Sequence, residues 1–189
     1  MNRIIKSHNL LLKDGQNVVL RQLHPNDTAK IVNFLSRLSS QTRQFYTLDD
    51  YGFKTADALC KSLIKPEKLH LVVENSSSEI IALIKFSLDL PDDDKVRFEQ
   101  YGIELSPESV CRWGICVADE FQSSGIGKVA LEEIVNIASK LDQKIIISSG
   151  GIFSGNKRAI QLCQKFGFKI VGEFVDTNNN THVDMMCEI

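Results

Sequence analysis

The segment Val117-Ala118-Asp119-Glu120-Phe121-Gln122-Ser123-Ser124-Gly125-Ile126-Gly127-Lys128 carries an apolar run into a polar turn with glycines two apart, and then into a helix. A turn of this kind at a helix start exposes several backbone N–H groups at the positive end of the helix, the arrangement that holds phosphate oxygens. The glycines let the backbone approach an anion closely, and Ser123 and Ser124 bring hydroxyl donors. Lys128 puts a cation in the first helical turn. The spacing is neither that of a nucleotide P-loop nor the dinucleotide fingerprint, because Ala130 stands where the third glycine would fall. A pyrophosphate-bearing ligand other than a simple nucleotide fits better.

Upstream of the turn, residues 110–117 read as a strand that leads directly into it. Downstream, Val129, Ala130, Ile134, Ile137, Ala138 and Leu141 form the apolar stripe of a helix, with Lys128, Glu132, Glu133, Asn136 and Lys140 opposite. Ile145-Ile146-Ile147 follows as a buried strand. This strand, helix, strand unit implies locally parallel pairing. Further out, residues 17–23, 69–73 and 80–88 read as strands, and 169–174 and 182–187 as a closing pair. Helices are expected around Ile31 to Leu38, at 41–46, from a Thr55 cap to Pro66, and at 156–165. Pro91-Asp92-Asp93-Asp94 reads as an acidic, solvated turn with a polar stretch running on to Glu108. The order β-α-α-β-β-β-α-β-α-β-β describes a mixed α/β chain without repeats or linkers, expected to form one domain over 1–189.

Composition narrows the function. Twenty-two Lys+Arg against 24 Asp+Glu give a net charge of -2, which argues against a nucleic-acid or membrane-surface role. No apolar run is long enough to span a bilayer, and residues 1–13 lack the pattern of a secretory leader. Cys60, Cys111, Cys116, Cys163 and Cys187 are scattered, as are His8, His24, His70 and His182, so neither disulfide framework nor metal site is indicated. A reducing, cytoplasmic setting is expected.

Gln122-x-x-Gly125-x-Gly127 after a strand resembles the signature of the GNAT superfamily of N-acetyltransferases, whose turn binds the pyrophosphate of acetyl-CoA. Asn156-Lys157-Arg158-Ala159-Ile160-Gln161-Leu162-Cys163-Gln164-Lys165-Phe166-Gly167-Phe168 is similar to a later motif of that family. The two lie about thirty residues apart in the expected elements, and the element order agrees from Asn17 onward. The resemblance implies a GNAT-like fold: a mixed, mostly antiparallel sheet with a central, splayed parallel strand pair, flanked by helices. It implies acetyl-CoA as acyl donor and an amine, small-molecule or peptide, as acceptor. Ile115, Cys116 and Val117 would meet the pantetheine arm through their backbone. Gln122, Ser123, Ser124, Gly125, Ile126, Gly127 and Lys128 would hold the pyrophosphate, and Asn156 would hydrogen-bond near the arm.

The chain departs from the family at several positions. Many relatives carry an arginine in the turn, where this chain has Ser123 and Ser124. Cys163 replaces the tyrosine that reprotonates the leaving thiolate in many relatives, and burial statistics favour a core cysteine there. Arg112 and Cys111 occupy the positions of a frequent strand glutamate; Glu108, with Glu104, is the nearest carboxylate and sits in a polar, solvated segment. Glu108 and Cys163 are therefore the proton-transfer candidates, with a water chain as the alternative. For the acceptor, Arg43 would meet a carboxylate and Tyr46 would line the cleft, unless Phe45 simply packs and Arg43 is solvated. Trp113 and Phe121 read as packing residues. A non-catalytic acyl-CoA-binding module is the competing reading, and a homodimer stays open.

Overall fold

The computed structural model describes residues 7–46, 48 and 50–189. The leader expectation for residues 1–13 therefore falls partly outside the described residues. The chain forms two compact units, one of Met1–Phe86 with Ile115–Ala130 and one of Ser87–Gly114 with Leu131–Ile189.

The first unit is an antiparallel meander covered by helices. Its strands are β1 (His8–Leu11), β2 (Asn17–Gln22), β3 (Leu71–Glu74) and β4 (Ile80–Ser87), paired in that order. Leu71, Val72, Val73 and the run from Ile80 to Ile84 are almost wholly buried, which suits β-branched side chains on a pleated surface. The helices are α1 (Thr28–Arg37), α2 (Ser40–Gln44) and α3 (Phe53–Ser62). Ile31, Phe34 and Leu35, at i, i+3 and i+4, are fully buried, each worth about 2–3 kcal/mol by area. They join Leu23, Ala56, Leu59, Val72, Leu83, Cys116 and Ala118 in one core cluster. Arg21 knits the base of this unit, donating to Asp27 (2.7 Å) and Glu74 (2.6 Å). α3 starts earlier than the Thr55 cap implies. The Asp50 carboxylate caps it instead, accepting from the N–H of Gly52 (2.6 Å) and Thr55 (3.0 Å) and from the Thr55 hydroxyl.

The second unit holds α4 (Asp92–Gln100), the first residues of β5 (Val110–Val117), most of α5 (Ile126–Lys140), β6 (Ile145–Ser148), β7 (Ile152–Phe153), α6 (Lys157–Lys165), β8 (Lys169–Val175) and β9 (Thr181–Glu188). β5 and β6 pair in parallel from Val110↔Ile145 to Trp113↔Ser148, while β6, β7 and β8 all pair antiparallel with β9. The fold is thus α/β with a mixed sheet whose parallel pair is β5–β6, flanked by helices. After the Ser149 N–H bonds the Trp113 carbonyl (2.9 Å), Gly150 (φ +69°) and Gly151 (φ +72°) turn the chain off the strand direction. A Cβ on Gly151 would lie 2.6 Å from the Phe174 ring, so only glycine makes that turn.

The acidic turn expected at Pro91–Asp94 is instead the first turn of α4. Three aspartates follow a proline N-cap and Arg97 lies in the last turn, an order that complements the helix dipole. Nor is the run solvated throughout: Asp94 is buried and bonded by Arg97 (2.5 Å) and Arg112 (3.1 Å). Arg97 also donates to the fully buried Asp184 (2.9 Å), and Arg112 to Asp89 (2.9 Å). β1 and β7, which carry weak sequence signals, are additional strands. Among the described residues no helix is long and apolar enough to cross a membrane, and no His/Cys/Asp/Glu group is arranged to hold a metal.

Candidate functional site

The turn after β5 is built by a strand that outruns its parallel partner. β5 continues through residues 114–117 after its last pair with β6, so on that edge its final peptide groups lie outside the parallel ladder. Along this end the side chains alternate. Cys116 is buried in the first unit's core, while Ile115 and Val117 are half-buried. What residues 115–117 can offer a ligand is therefore backbone, together with one apolar edge. Burial pushes the Cys116 thiol up to about 12, which removes it as a nucleophile.

The Ala118 N–H anchors the strand end to the Ile81 carbonyl (2.9 Å), and Asp119 then clamps the turn. Its carboxylate accepts from the Ser39 N–H (2.9 Å), the Ser39 hydroxyl (2.5 Å) and the Thr42 hydroxyl (2.7 Å). Burial alone would raise the Asp119 pKa, but these hydrogen bonds outweigh it and hold the group below its ordinary value. Ser39 is also the N-cap of α2, accepting from the Thr42 N–H (3.2 Å). Gln122 completes the arrangement, its side-chain amide donating to the Thr42 hydroxyl (3.0 Å) and the Val117 carbonyl (3.3 Å). The signature glutamine thus braces the turn from within.

Beyond Gln122 the backbone turns through Ser123 (φ +66°) and Gly125 (φ +103°). The Ser124 hydroxyl donates to the Phe121 carbonyl (2.6 Å), closing the turn locally. The first inward bonds of α5 run from the N–H groups of Lys128 (3.1 Å) and Val129 (3.2 Å) to the Gly125 carbonyl. Ile126 and Gly127, ahead of them, have no acceptor available within the helix, as at every helix start. Their amides, with the dipole of a 15-residue helix behind them, form a concentrated donor patch for an anion. Ile126 is buried and anchors the patch, while Gly127 is half-buried and Lys128 exposed.

Against known proteins, the family model described as the acetyltransferase (GNAT) family matches residues 34–168. The chain belongs to this family. An acetyltransferase of Pseudomonas aeruginosa is similar to it, 25% identical over 172 residues that cover 91% of this chain and 84% of the relative. Among solved structures, the ribosomal-protein-S5-alanine acetyltransferase of Vibrio fischeri shares the fold with a TM-score of 0.76 at 14% identity, covering 97% of both chains. An aminoglycoside acetyltransferase solved with coenzyme A superposes with a TM-score of 0.69 at 18% identity, covering 90% of this chain and 94% of that one.

The remaining candidates of this GNAT chain are distributed as follows. Cys163 is buried in α6 and burial pushes its thiol up to about 12, well above a useful range for neutral-pH proton transfer. Glu108 is exposed ahead of β5, where its backbone carbonyl accepts from Gln143 (3.4 Å). Asn156 is the N-cap of α6, its side-chain oxygen accepting from the Ala159 N–H (3.1 Å). Arg43 donates to the carbonyls of Leu35 (3.3 Å) and Ser36 (3.0 Å) at the end of α1 and stacks over Tyr51, 4.7 Å from the ring centre. The Tyr51 hydroxyl donates to the carbonyls of Arg43 (2.8 Å) and Tyr46. Tyr46 packs against the first unit's core, and burial drives its phenol pKa well above the ordinary value. Trp113 is buried against Phe168, in keeping with a packing role. The Ser39–Asp119–Thr42–Gln122 network has no signature in the linear sequence, because its bonds join two short segments 77 to 80 residues apart.

Proposed function

We propose that this GNAT acetyltransferase moves an acetyl group from acetyl-CoA to a primary amine by direct transfer. The observation that carries the reading is the donor patch at the start of α5, directly after a strand end that outruns its parallel partner. A diphosphate on the amides of Gly125, Ile126 and Gly127 gains charge-assisted hydrogen bonds, with Lys128 beside it. The amide-rich pantetheine arm can then pair like a short strand with the backbone of residues 115–117. The coenzyme A bound by the aminoglycoside acetyltransferase of the same fold supports this choice of donor.

In the reaction the amine lone pair attacks the thioester carbonyl, the carbon–nitrogen bond forms, and the carbon–sulfur bond breaks. Coenzyme A leaves as thiolate, the product nitrogen loses its proton to water, and the thiolate is protonated from solvent. With the Cys163 thiol locked in the core, these transfers rely on water rather than on that side chain. Holding both reactants together replaces a bimolecular encounter by an effectively intramolecular one, a gain on the order of 10⁵ M or more in effective molarity. The test is release of free coenzyme A, read with a thiol reagent, across polyamines, amino acids, aminoglycosides and peptide N-termini. Amine-dependent release above background hydrolysis is expected. Thermal stabilisation by acetyl-CoA with no turnover on any amine would instead establish a non-catalytic acyl-CoA-binding module.

A further inference from the structure

We infer that Lys13, from the hairpin turn between β1 and β2, is a phosphate-binding residue that pairs with the donor's diphosphate at the start of α5. The inference rests on the proposed cofactor reading and adds to it a group more than a hundred residues away in the chain. Three observations on the first unit carry it. The Lys13 N–H donates to the Ser124 carbonyl (3.2 Å), fastening the hairpin turn to the glycine turn. The Lys13 stem lies across Gly125, its Cγ and Cε each 3.6 Å from where a Cβ on that residue would stand. The ammonium, one bond beyond Cε, is thereby brought to the turn that presents the free amides. Finally, the side chain is exposed, and among the described residues no carboxylate pairs with it.

The hairpin is built to hold this lysine in place. Leu12 is buried, its N–H bonds the Gln16 carbonyl (2.8 Å), and Gly15 (φ +83°) closes the turn. The neighbouring Asp14 carboxylate is turned back on its own loop, accepting from the Gln16 N–H (3.1 Å) and side-chain amide (2.9 Å). It is thus occupied within the hairpin rather than neutralising Lys13. Ser123 and Ser124 bring no charge to the glycine turn, so beyond Lys128 a diphosphate there meets fixed amides, and a second cation adds to its charge balance. A lysine stem can lie along the protein surface with its head in water, where the ammonium acts on phosphate as a point charge.

The test is isothermal titration of coenzyme A, dephospho-coenzyme A and pantetheine against wild type, K13M and K13R. K13M keeps a stem over Gly125 and removes the charge; apo thermal midpoints matching wild type check that the fold is intact. We expect K13M to weaken coenzyme A about tenfold, between the few-fold loss of an exposed ion pair and the larger loss of a shielded charge-assisted hydrogen bond. Dephospho-coenzyme A should weaken by the same factor, pantetheine should be unchanged, and K13R should recover most of the loss. The salt dependence of binding should also be shallower in K13M. With acetyl-CoA, the KM should rise while kcat holds. Wild-type affinity in K13M would overturn the inference. So would a loss confined to coenzyme A, which would point to the 3′-phosphate, or an equal loss with pantetheine, which would point to packing. Failure of wild type to bind any coenzyme A species would instead remove the underlying cofactor reading.

Discussion

Replacing Asp119 by alanine isolates what the clamp contributes to the turn after β5. The carboxylate accepts from the Ser39 N–H at 2.9 Å, the Ser39 hydroxyl at 2.5 Å and the Thr42 hydroxyl at 2.7 Å. Hydrogen bonds to an ionised group contribute about 1.5–3 kcal/mol each when well shielded. Here Ser39 is exposed and water replaces part of what is lost, so the whole set is worth about 2 kcal/mol. With a urea slope of about 2 kcal/mol/M, the D119A midpoint should fall by about 1 M at unchanged slope. The pH dependence gives an independent check. The hydrogen bonds hold the folded carboxyl below its unfolded value of about 3.9, so its contribution is complete above that value and is lost as pH falls through the folded pKa. The stability gap between wild type and D119N should therefore be widest near neutrality and close toward pH 3. A D119A protein within about 0.5 kcal/mol of wild type at pH 7 would refute the clamp. A gap that ignored acid would refute its ionic character.

Gly125→Ala forces a residue with a Cβ to φ +103°, where its nearest neighbours are atoms of the flexible Lys13 stem, at ordinary contact distances from 3.6 Å. The cost is backbone strain, about 1–3 kcal/mol by denaturant titration, together with a raised KM for acetyl-CoA. Arg97→Ala leaves Asp94 and Asp184, which are 3% and 0% exposed, without their shared cation. Unfolding titration should show a loss of about 3–5 kcal/mol, only partly recovered by R97K because a lysine cannot bridge both carboxylates. Cys163→Ala should leave the pH–rate profile unchanged, since burial holds the thiol at about 12; disappearance of an alkaline limb in C163A would show the opposite.

How far the chain could be read depended on whether the signal was local. The apolar run of residues 110–117, the apolar stripe of α5 and the glycine spacing of the turn are all patterns among near neighbours in the chain, and they specify the strand, the helix and the parallel crossover. α4 was legible in principle, since three aspartates after Pro91 with Arg97 three residues on form a dipole-matched helix start. A polar composition read as a loop because the helix buries so little: Phe98 and Asp94 face inward while Val96 is half-exposed. β1 and β7 are short pairings whose identity comes from their partners β2 and β9.

At the candidate site the same division holds. Gln122, Gly125 and Gly127 announce a turn and a donor patch through their own backbone preferences. Their neighbours do not: Ser39, Thr42 and Lys13 reach the turn only because α2 and the β1–β2 hairpin are folded against it. Arg43 shows the converse, since a charge that reads as available for a substrate is spent in the fold on the carbonyls ending α1. By itself the sequence determined the strongly patterned elements, the turn chemistry and the family signature, because periodicity and backbone freedom are properties of neighbouring residues. Which side chains brace that turn and which cation lies across it were decided only by tertiary structure, because hydrogen bonds and charges act through space, between residues that the chain order keeps far apart.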